Sequence, residues 1–218
     1  IIWSCLERTM GDVFADASES PESAMAILGD FCFLSGRPNR ELAAYKPEQW
    51  ERSFVIMVPQ NEEWGALVTE VYGNRAKKVI RYAIKKENDV WDRDKLKQAV
   101  DSLSDGFVMQ MIDRRMFEEA GKNVWMEDLV SQYSNFEQYE EMGLGVVVLK
   151  DGVPVSGASS YSSYPGGIEI QIDTRMDFRR KGLAYACGAK LILECIRKGW
   201  YPSWDAHNMW SVNLAEKL

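Results

Sequence analysis

A chain of 218 residues with 46% hydrophobic and 27% charged residues can bury a core in one α/β domain or two small ones, which excludes a disordered polypeptide. Its net charge of −7 argues against nucleic acid, which would want a basic face; an acidic rim would instead draw a cationic amine. No run approaches the ~18 apolar residues of a membrane span, and Ile1-Ile2-Trp3-Ser4-Cys5 has no basic segment ahead of an apolar one, so the chain reads as soluble, cytoplasmic and clear of the membrane.

Taken in chain order, the first half predicts strands at Asp12–Ala15, Phe31–Leu34, Phe54–Val58, Val79–Lys85 and Phe107–Ile112. Helices are predicted at Glu62–Tyr72, Asp94–Leu103, Arg114–Ala120 and Asn135–Glu141. Strands alternate with helices, so the class is α/β or α+β, and no catalytic signature stands out in this half. The polar stretch Glu118–Gln138 is the expected boundary, which gives residues 1–135 as an N-terminal half of unassigned role and 136–218 as a second domain. No sequence repeat of fixed period is visible, although the similar element order leaves room for a diverged duplication.

The second half is more legible. Val146–Leu149 and Val153–Ala158 are β-branched runs joined by Lys150-Asp151-Gly152, and Asp-Gly between strands predicts a tight hairpin. Tyr161–Gly167 reads as a turn-rich loop, after which Ile168, Ile170 and Ile172 alternate with Glu169, Gln171 and Asp173 as a third strand. Gly182–Lys198 is helical, with Lys190, Glu194, Arg197 and Lys198 as one narrow polar stripe on an otherwise apolar helix, and Gly199 stops it. A short strand at Tyr201–Asp205 and a helix from Trp210 to Leu218 follow. The missing initiating Met and an ending inside a helical pattern suggest a piece of a longer chain.

The chemistry gathers at Asp173–Ala184, where a strand leads through basic residues and a glycine into a long apolar helix. Unpaired N–H groups at such a helix start carry about half a positive charge, so they suit phosphate oxygens. Gly182 lets a ligand approach the backbone, Ala184 keeps the first turn clear, and Arg179, Arg180 and Lys181 add positive charge. A basic helix start with an ordinary glycine is the plainer reading of the same residues. The four cysteines have no CxxC spacing and no His-rich company, so neither a metal site nor a redox pair is supported. They read as buried reduced thiols, and Cys187, mid-helix among apolar residues, is a poor nucleophile.

Arg179-Arg180-Lys181-Gly182-Leu183-Ala184 resembles the Arg/Gln-x-x-Gly-x-Gly/Ala pyrophosphate motif of GNAT acetyltransferases. The context resembles the family too: a polar-alternating strand before, a long apolar helix after, then a short strand with Asn208 and a helix ending Leu214-Ala215-Glu216-Lys217-Leu218. The resemblance covers about residues 144–218, with the family's final strands expected beyond Leu218. The wording from Gly-Ile-Glu-Ile to Trp-Asp-Ala-His-Asn is similar to a bacterial subgroup with an additional N-terminal half. The resemblance implies a mixed central sheet flanked by helices, residues 136–218 as an acetyl-CoA-binding domain, and an N-terminal α/β half that is itself open to a GNAT-like reading.

It also implies roles. The backbone of Ile172, Asp173 and Thr174 would pair with the pantetheine arm, the N–H groups from Arg179 to Ala184 would hold the pyrophosphate, and Asn208 would hydrogen-bond the pantetheine where two strands splay. An amine would attack acetyl-CoA directly, with no acyl-enzyme. Glu169 is the first candidate for the base that removes the amine proton; a solvated residue on a half-buried strand is its plain alternative. His207, the one histidine and so the residue type best suited to proton transfer near neutral pH, is the second candidate. The position where many family members carry a proton-donating Tyr holds Ala215, so Ser211, His207, Tyr161, Tyr164 or water must serve.

The expectation is an N-acetyltransferase for a small-molecule or peptide amine, without metal, nucleic acid or membrane, and with a homodimer as an allowed assembly. A catalytically weak acyl-CoA-binding scaffold of the same shape and an α/β protein binding another phosphorylated ligand are the alternatives.

Overall fold

The computed structural model describes residues 1–48 and 54–218, which divide into two compact units, Ile1–Val79 and Ile80–Leu218. The expected boundary within Glu118–Gln138 lies inside the second unit.

The first unit begins with α1 (Ile2–Leu6), then β1 (Asp12–Ala15), β2 (Ser23–Leu28), β3 (Phe31–Gly36), α2 (Arg40–Ala44), β4 (Ile56–Pro59) and α3 (Glu62–Tyr72). Its sheet runs β1-β2-β3-β4, antiparallel through β3 and then parallel between β3 and β4. Strand β2, which the sequence reading lacks, is buried along almost its whole length, so it shows no polar alternation to read. Met25, Ile27, Cys32 and Leu34 pack with Leu42 and Ala43 of α2 and with Trp64, whose indole N–H donates to the Gly36 carbonyl at 2.8 Å. Side chains cap both later helices, with Asn39 accepting from the Leu42 N–H and Asn61 from the Trp64 N–H.

The second unit contains β5 (Tyr82–Ala83), α4 (Arg93–Asp101), β6 (Phe107–Met111), α5 (Arg114–Ala120), α6 (Phe136–Met142), β7 (Gly145–Lys150), β8 (Val153–Tyr164), β9 (Gly167–Thr174), α7 (Leu183–Lys198), β10 (Tyr201–Ser203), β11 (Asp205–Ala206) and α8 (Met209–Lys217). A five-stranded sheet runs β10-β9-β8-β7-β6, antiparallel from β6 to β9 and parallel between β9 and β10. The class is thus the mixed α/β arrangement that the sequence predicted, and β6 adds an edge strand ahead of the segment that carried the resemblance.

Helices α4 and α7 cover one face of this sheet, where Leu96 and Ala99 meet Leu183, Leu191 and Ile192 over Val146, Val148, Ile168 and Ile170. On α7 the polar stripe forms as read: Glu194 pairs with Lys190 at 2.7 Å and with Arg197 at 2.8 Å. On the β7–β8 surface away from α7, Leu129 lies against Gly157 and Tyr139 against Gly145.

Three expectations change here. Tyr161–Tyr164 is not a loop but the end of β8, and the turn shrinks to Pro165-Gly166. Its serines tolerate burial because they have partners: the Tyr133 hydroxyl lies 2.5 Å from Ser160 Oγ and 2.8 Å from Ser163 Oγ, and the Tyr139 hydroxyl lies 2.8 Å from Ser159 Oγ. The predicted strands Val79–Lys85 and Tyr201–Asp205 also differ. Only Tyr82–Ala83 of the former is strand, and the latter is split at Trp204, because Asp205–Ala206 leaves the main sheet to pair antiparallel with Tyr82–Ala83.

Candidate active site

The split at Trp204 builds the site. Strand β10 pairs with β9 over three residues, Tyr201 with Gly167, Pro202 with Ile168 and Ser203 with Glu169. Beyond Ser203 the chain is drawn off into the ladder with β5, and the ion pair of Arg81 Nε with Asp205 Oδ2 at 2.6 Å fastens it there. Ile170–Thr174 continue paired to β8 on one side and have no β10 partner on the other. An open backbone edge thus starts just past Glu169 and runs through Ile172, Asp173 and Thr174 toward the start of α7.

At that start, Arg179, Arg180, Lys181 and Gly182 are exposed and Leu183 is buried. Gly182 stands at the helix cap with φ +79° and supplies no side-chain cap, and the first helical bond is Ala186 N–H to the Gly182 carbonyl at 3.0 Å. The N–H groups of the first turn therefore lack helical partners. Arg180 also takes a left-handed φ, +62°, a conformation that costs a non-glycine residue about 1–2 kcal/mol and concentrates at functional sites. Arg179 Nε donates to the Thr174 carbonyl at 3.2 Å, while the Arg180 guanidinium lies 5.8 Å from the Trp210 ring of α8 and the Lys181 ammonium 4.5 Å from that of Phe178. Three cations thus surround an uncapped helix start in an acidic protein. Burial pushes the Asp173 carboxyl up to about 6, against the hydrogen bond from Gln171.

Around Glu169 a second set of groups converges, most of which the sequence reading missed. In the register of the three strands, Ser162, Glu169 and Ser203 form one row and Tyr164, Gly167 and Tyr201 the next, all on one face. A Cβ on Gly167 would strike the Tyr164 hydroxyl, so glycine here makes room for that ring. Desolvation raises the Tyr164 phenol to about 12, opposed by its hydrogen bond with Ser203. Lys86 Nζ sits 3.8 Å from Glu169 Oε1. Lys86 lies more than 80 positions ahead of Glu169 on a segment without regular structure, so no local pattern could have revealed it.

The remaining predicted residues form a separate group at the start of α8. Asn208 Oδ1 caps the helix by accepting from the Ser211 N–H at 3.0 Å, and Asn208 Nδ2 lies 2.8 Å from Nε2 of His207, which is exposed. All four cysteines are buried thiols, and desolvation raises Cys187 to about 12, so it is no nucleophile at neutral pH. No helix among the described residues is long and apolar enough to cross a membrane.

Comparison with known proteins bears on the family and the fold. The model of the family described as GNAT acetyltransferase matches residues 1–218, including the half in which the sequence showed no signature. A Bacillus subtilis (strain 168) protein described as the uncharacterized N-acetyltransferase YdfB is 25% identical over 229 residues, which span 100% of this chain and 84% of the relative. The crystal structure of a GCN5-related N-acetyltransferase-like protein from Streptococcus suis 89/1591 superposes with a TM-score of 0.93 at 49% identity, covering 100% of this chain and 86% of that one. A GCN5-related N-acetyltransferase from Kribbella flavida shares the fold alone, with a TM-score of 0.57 at 14% identity over 94% of this chain and 83% of the other.

Proposed function

Because the chain belongs to the GNAT acetyltransferase family, we propose that it moves an acetyl group from acetyl-CoA to a primary amine by direct attack. The observation that carries this reading is the fork: β9 and β10 stay paired only as far as Glu169 and Ser203, and the freed edge of β9 leads to an uncapped helix start ringed by Arg179, Arg180 and Lys181.

The residues fit acetyl-CoA. The N–H groups from Arg179 to Ala184 suit a pyrophosphate by dipole and by charge. The open edge at Ile172, Asp173 and Thr174 offers backbone donors and acceptors to the amides of a pantetheine arm. Asn208 would contribute through Nδ2, since its Oδ1 serves α8. Acetyl-CoA supplies an acyl carbon made electrophilic by its thioester.

The protein's part is to hold the amine at the fork and move two protons. Glu169 accepts one from the ammonium, after which the amine nitrogen forms the C–N bond as the C–S bond breaks. The departing thiolate needs a proton, and the second proton on the nitrogen, shed as the amide forms, restores the group that donates it. Tyr164 is better placed for this than Ser211 or His207, because its phenol stands at the fork beside Ser203 and keeps its proton at neutral pH. The products are an acetamide and CoA thiol, with no covalent enzyme intermediate.

Titration calorimetry with acetyl-CoA, followed by thiol release over a panel of primary amines, tests the reading. Saturable binding and amine-dependent release are expected. Binding without release for any amine would leave an acyl-CoA-binding scaffold, and absence of binding would remove the proposal altogether.

A further inference from the structure

We propose that Glu169, Tyr164 and Tyr201 form a seat for the ammonium end of an unbranched alkylamine, and that Lys86 occupies this seat in the free protein as an internal stand-in. The inference rests on the acetyl-transfer reading above and adds to it the chemical class of the acceptor.

The structure already holds an alkylammonium at this place. Lys86 Nζ lies 3.8 Å from Glu169 Oε1, 5.9 Å from the centre of the Tyr164 ring and 6.0 Å from that of Tyr201. Two ring faces within ~6 Å and one carboxylate are the elements that attract a desolvated cation. The arrangement is built by the sheet. Gly167 stands between the two tyrosines in the cross-strand row, and its missing side chain leaves the space into which Tyr164 leans.

Both rings are held in place. The Tyr201 hydroxyl accepts from the Glu87 N–H at 3.0 Å, and the Tyr201 ring meets Trp91 edge-on at 5.2 Å between centres. Tyr164 is tied to Ser203, which is buried. The seat therefore keeps its shape when the cation changes.

Lys86 is a weak tenant. Its side chain is 51% exposed, and an ion pair of 3.8 Å between partly solvated groups contributes little. Another ammonium of the same form can displace it. The four-methylene stem of lysine defines what fits, a cation at the end of a slim unbranched chain, whereas an amine on a ring carbon brings a body wider than that stem. Glu169 then has two duties in sequence, attracting the ammonium and receiving its proton. The seat adjoins the fork, since Glu169 belongs to the last pair before β9 and β10 part.

The test is a titration of n-pentylamine at pH 7 followed by NMR of the tyrosine rings, using the full chain as wild type, Lys86→Met, and Lys86→Met with Tyr201→Leu. Lys86→Met is expected to bind n-pentylamine at least threefold more tightly than wild type, the added Tyr201→Leu to reverse that gain, and cyclohexylamine to bind at least threefold more weakly than n-pentylamine. Equal or weaker binding by Lys86→Met, or equal binding of the two amines, would overturn the proposal. Lys86→Ala takes the place of Lys86→Met if the latter does not fold. A lysine side chain of a peptide and a small free alkylamine share this chemistry; adding Nα-acetyl-lysine methylamide to the titration separates them, and either order upholds the class. Calorimetry of wild type and of Lys86→Met with acetyl-CoA keeps the two readings apart. Loss of acetyl-CoA binding in wild type counts against acetyl transfer, while intact acetyl-CoA binding with no alkylamine binding counts against the seat alone.

Discussion

Replacing Asp173 by Asn tests the electrostatics of the open edge of β9. Asp173 pairs with Gly157 of β8, and Gln171 Nε2 donates to its Oδ2 at 2.6 Å. Desolvation is the largest influence and lifts the carboxyl from 3.8 to about 6, with Asp128 adding to the rise and Gln171 and Arg179 opposing it. The sign follows from proton counting. Between pH 3.8 and about 6 the folded protein holds a proton that the unfolded chain has lost, so Asp173 makes stability fall as pH rises through that window and then level off. The full displacement corresponds to about 3 kcal/mol above pH 6, and relaxation of a partly accessible group reduces it to about 1–2 kcal/mol. Asparagine keeps the shape and can still accept from Gln171. Urea denaturation of both proteins from pH 4 to pH 7.5 should therefore show Asp173→Asn about 1–2 kcal/mol more stable at pH 7.5, with the gap closing toward pH 4. A variant no more stable at pH 7.5, or an offset that does not change with pH, would refute the argument.

Three further outcomes are expected. Glu169→Gln should keep acetyl-CoA affinity by calorimetry while lowering turnover about 10²- to 10⁴-fold near pH 7, the loss shrinking as pH rises and the amine deprotonates in solution; His207→Gln is the matched control, and full turnover in both across pH 6 to 9 would move the base elsewhere. Asn208→Ala removes the acceptor for the Ser211 N–H and should cost about 1 kcal/mol in urea denaturation, against near-wild-type stability for Asn208→Ser. Ser159→Ala deprives the buried Tyr139 hydroxyl of its partner and should cost about 1–3 kcal/mol, whereas adding Tyr139→Phe in the same chain should recover part of the loss, a coupling that a double-mutant cycle measures.

How far the sequence can be read depends on how local each cause is. The β7–β8 hairpin was legible because Asp151 and Gly152 both take positive φ, +51° and +79°, which few residue pairs other than Asp-Gly accept. Helix α7 was legible because its apolar positions and polar stripe lie within sixteen residues. Tyr161–Tyr164 was not, since Tyr-Ser-Ser-Tyr-Pro-Gly has the composition of a turn. It is strand through its pairing with β9, and its buried Ser163 hydroxyl meets Tyr133, 30 positions away. The fork was half legible. Glu169 and the basic helix start could be read from the segment itself, but the parting of the strands depends on Tyr82–Ala83 capturing Asp205–Ala206. Tyr201 comes to the Glu169 face through the β9–β10 ladder, and Lys86 lies three residues past the β5 half of the pairing with Asp205–Ala206.

The two units repeat one scheme of strand order and differ in how the crossover is built. In each, antiparallel strands are followed by a crossover to a final parallel strand, β3 to β4 in the first and β9 to β10 in the second. Each final strand leads to a helix capped by an asparagine, Asn61 for α3 and Asn208 for α8. The crossovers diverge. In the first unit the crossover helix α2 is five residues long and the Asn39 carboxamide already accepts from its first turn at 3.1 Å. In the second, α7 is sixteen residues long and begins at a glycine with no side-chain cap, among three cations. A long helix start left uncapped costs stability that a side-chain cap would restore by about 1 kcal/mol, unless an anion takes the cap's place. The pairing differs in the same sense: β4 stays in register with β3 over its four residues, whereas β10 keeps three and then yields the edge of β9. The second unit thus withholds both the cap and the last strand pairs, and on the acetyl-transfer reading proposed above those are the two features that would receive a phosphate-bearing acyl donor.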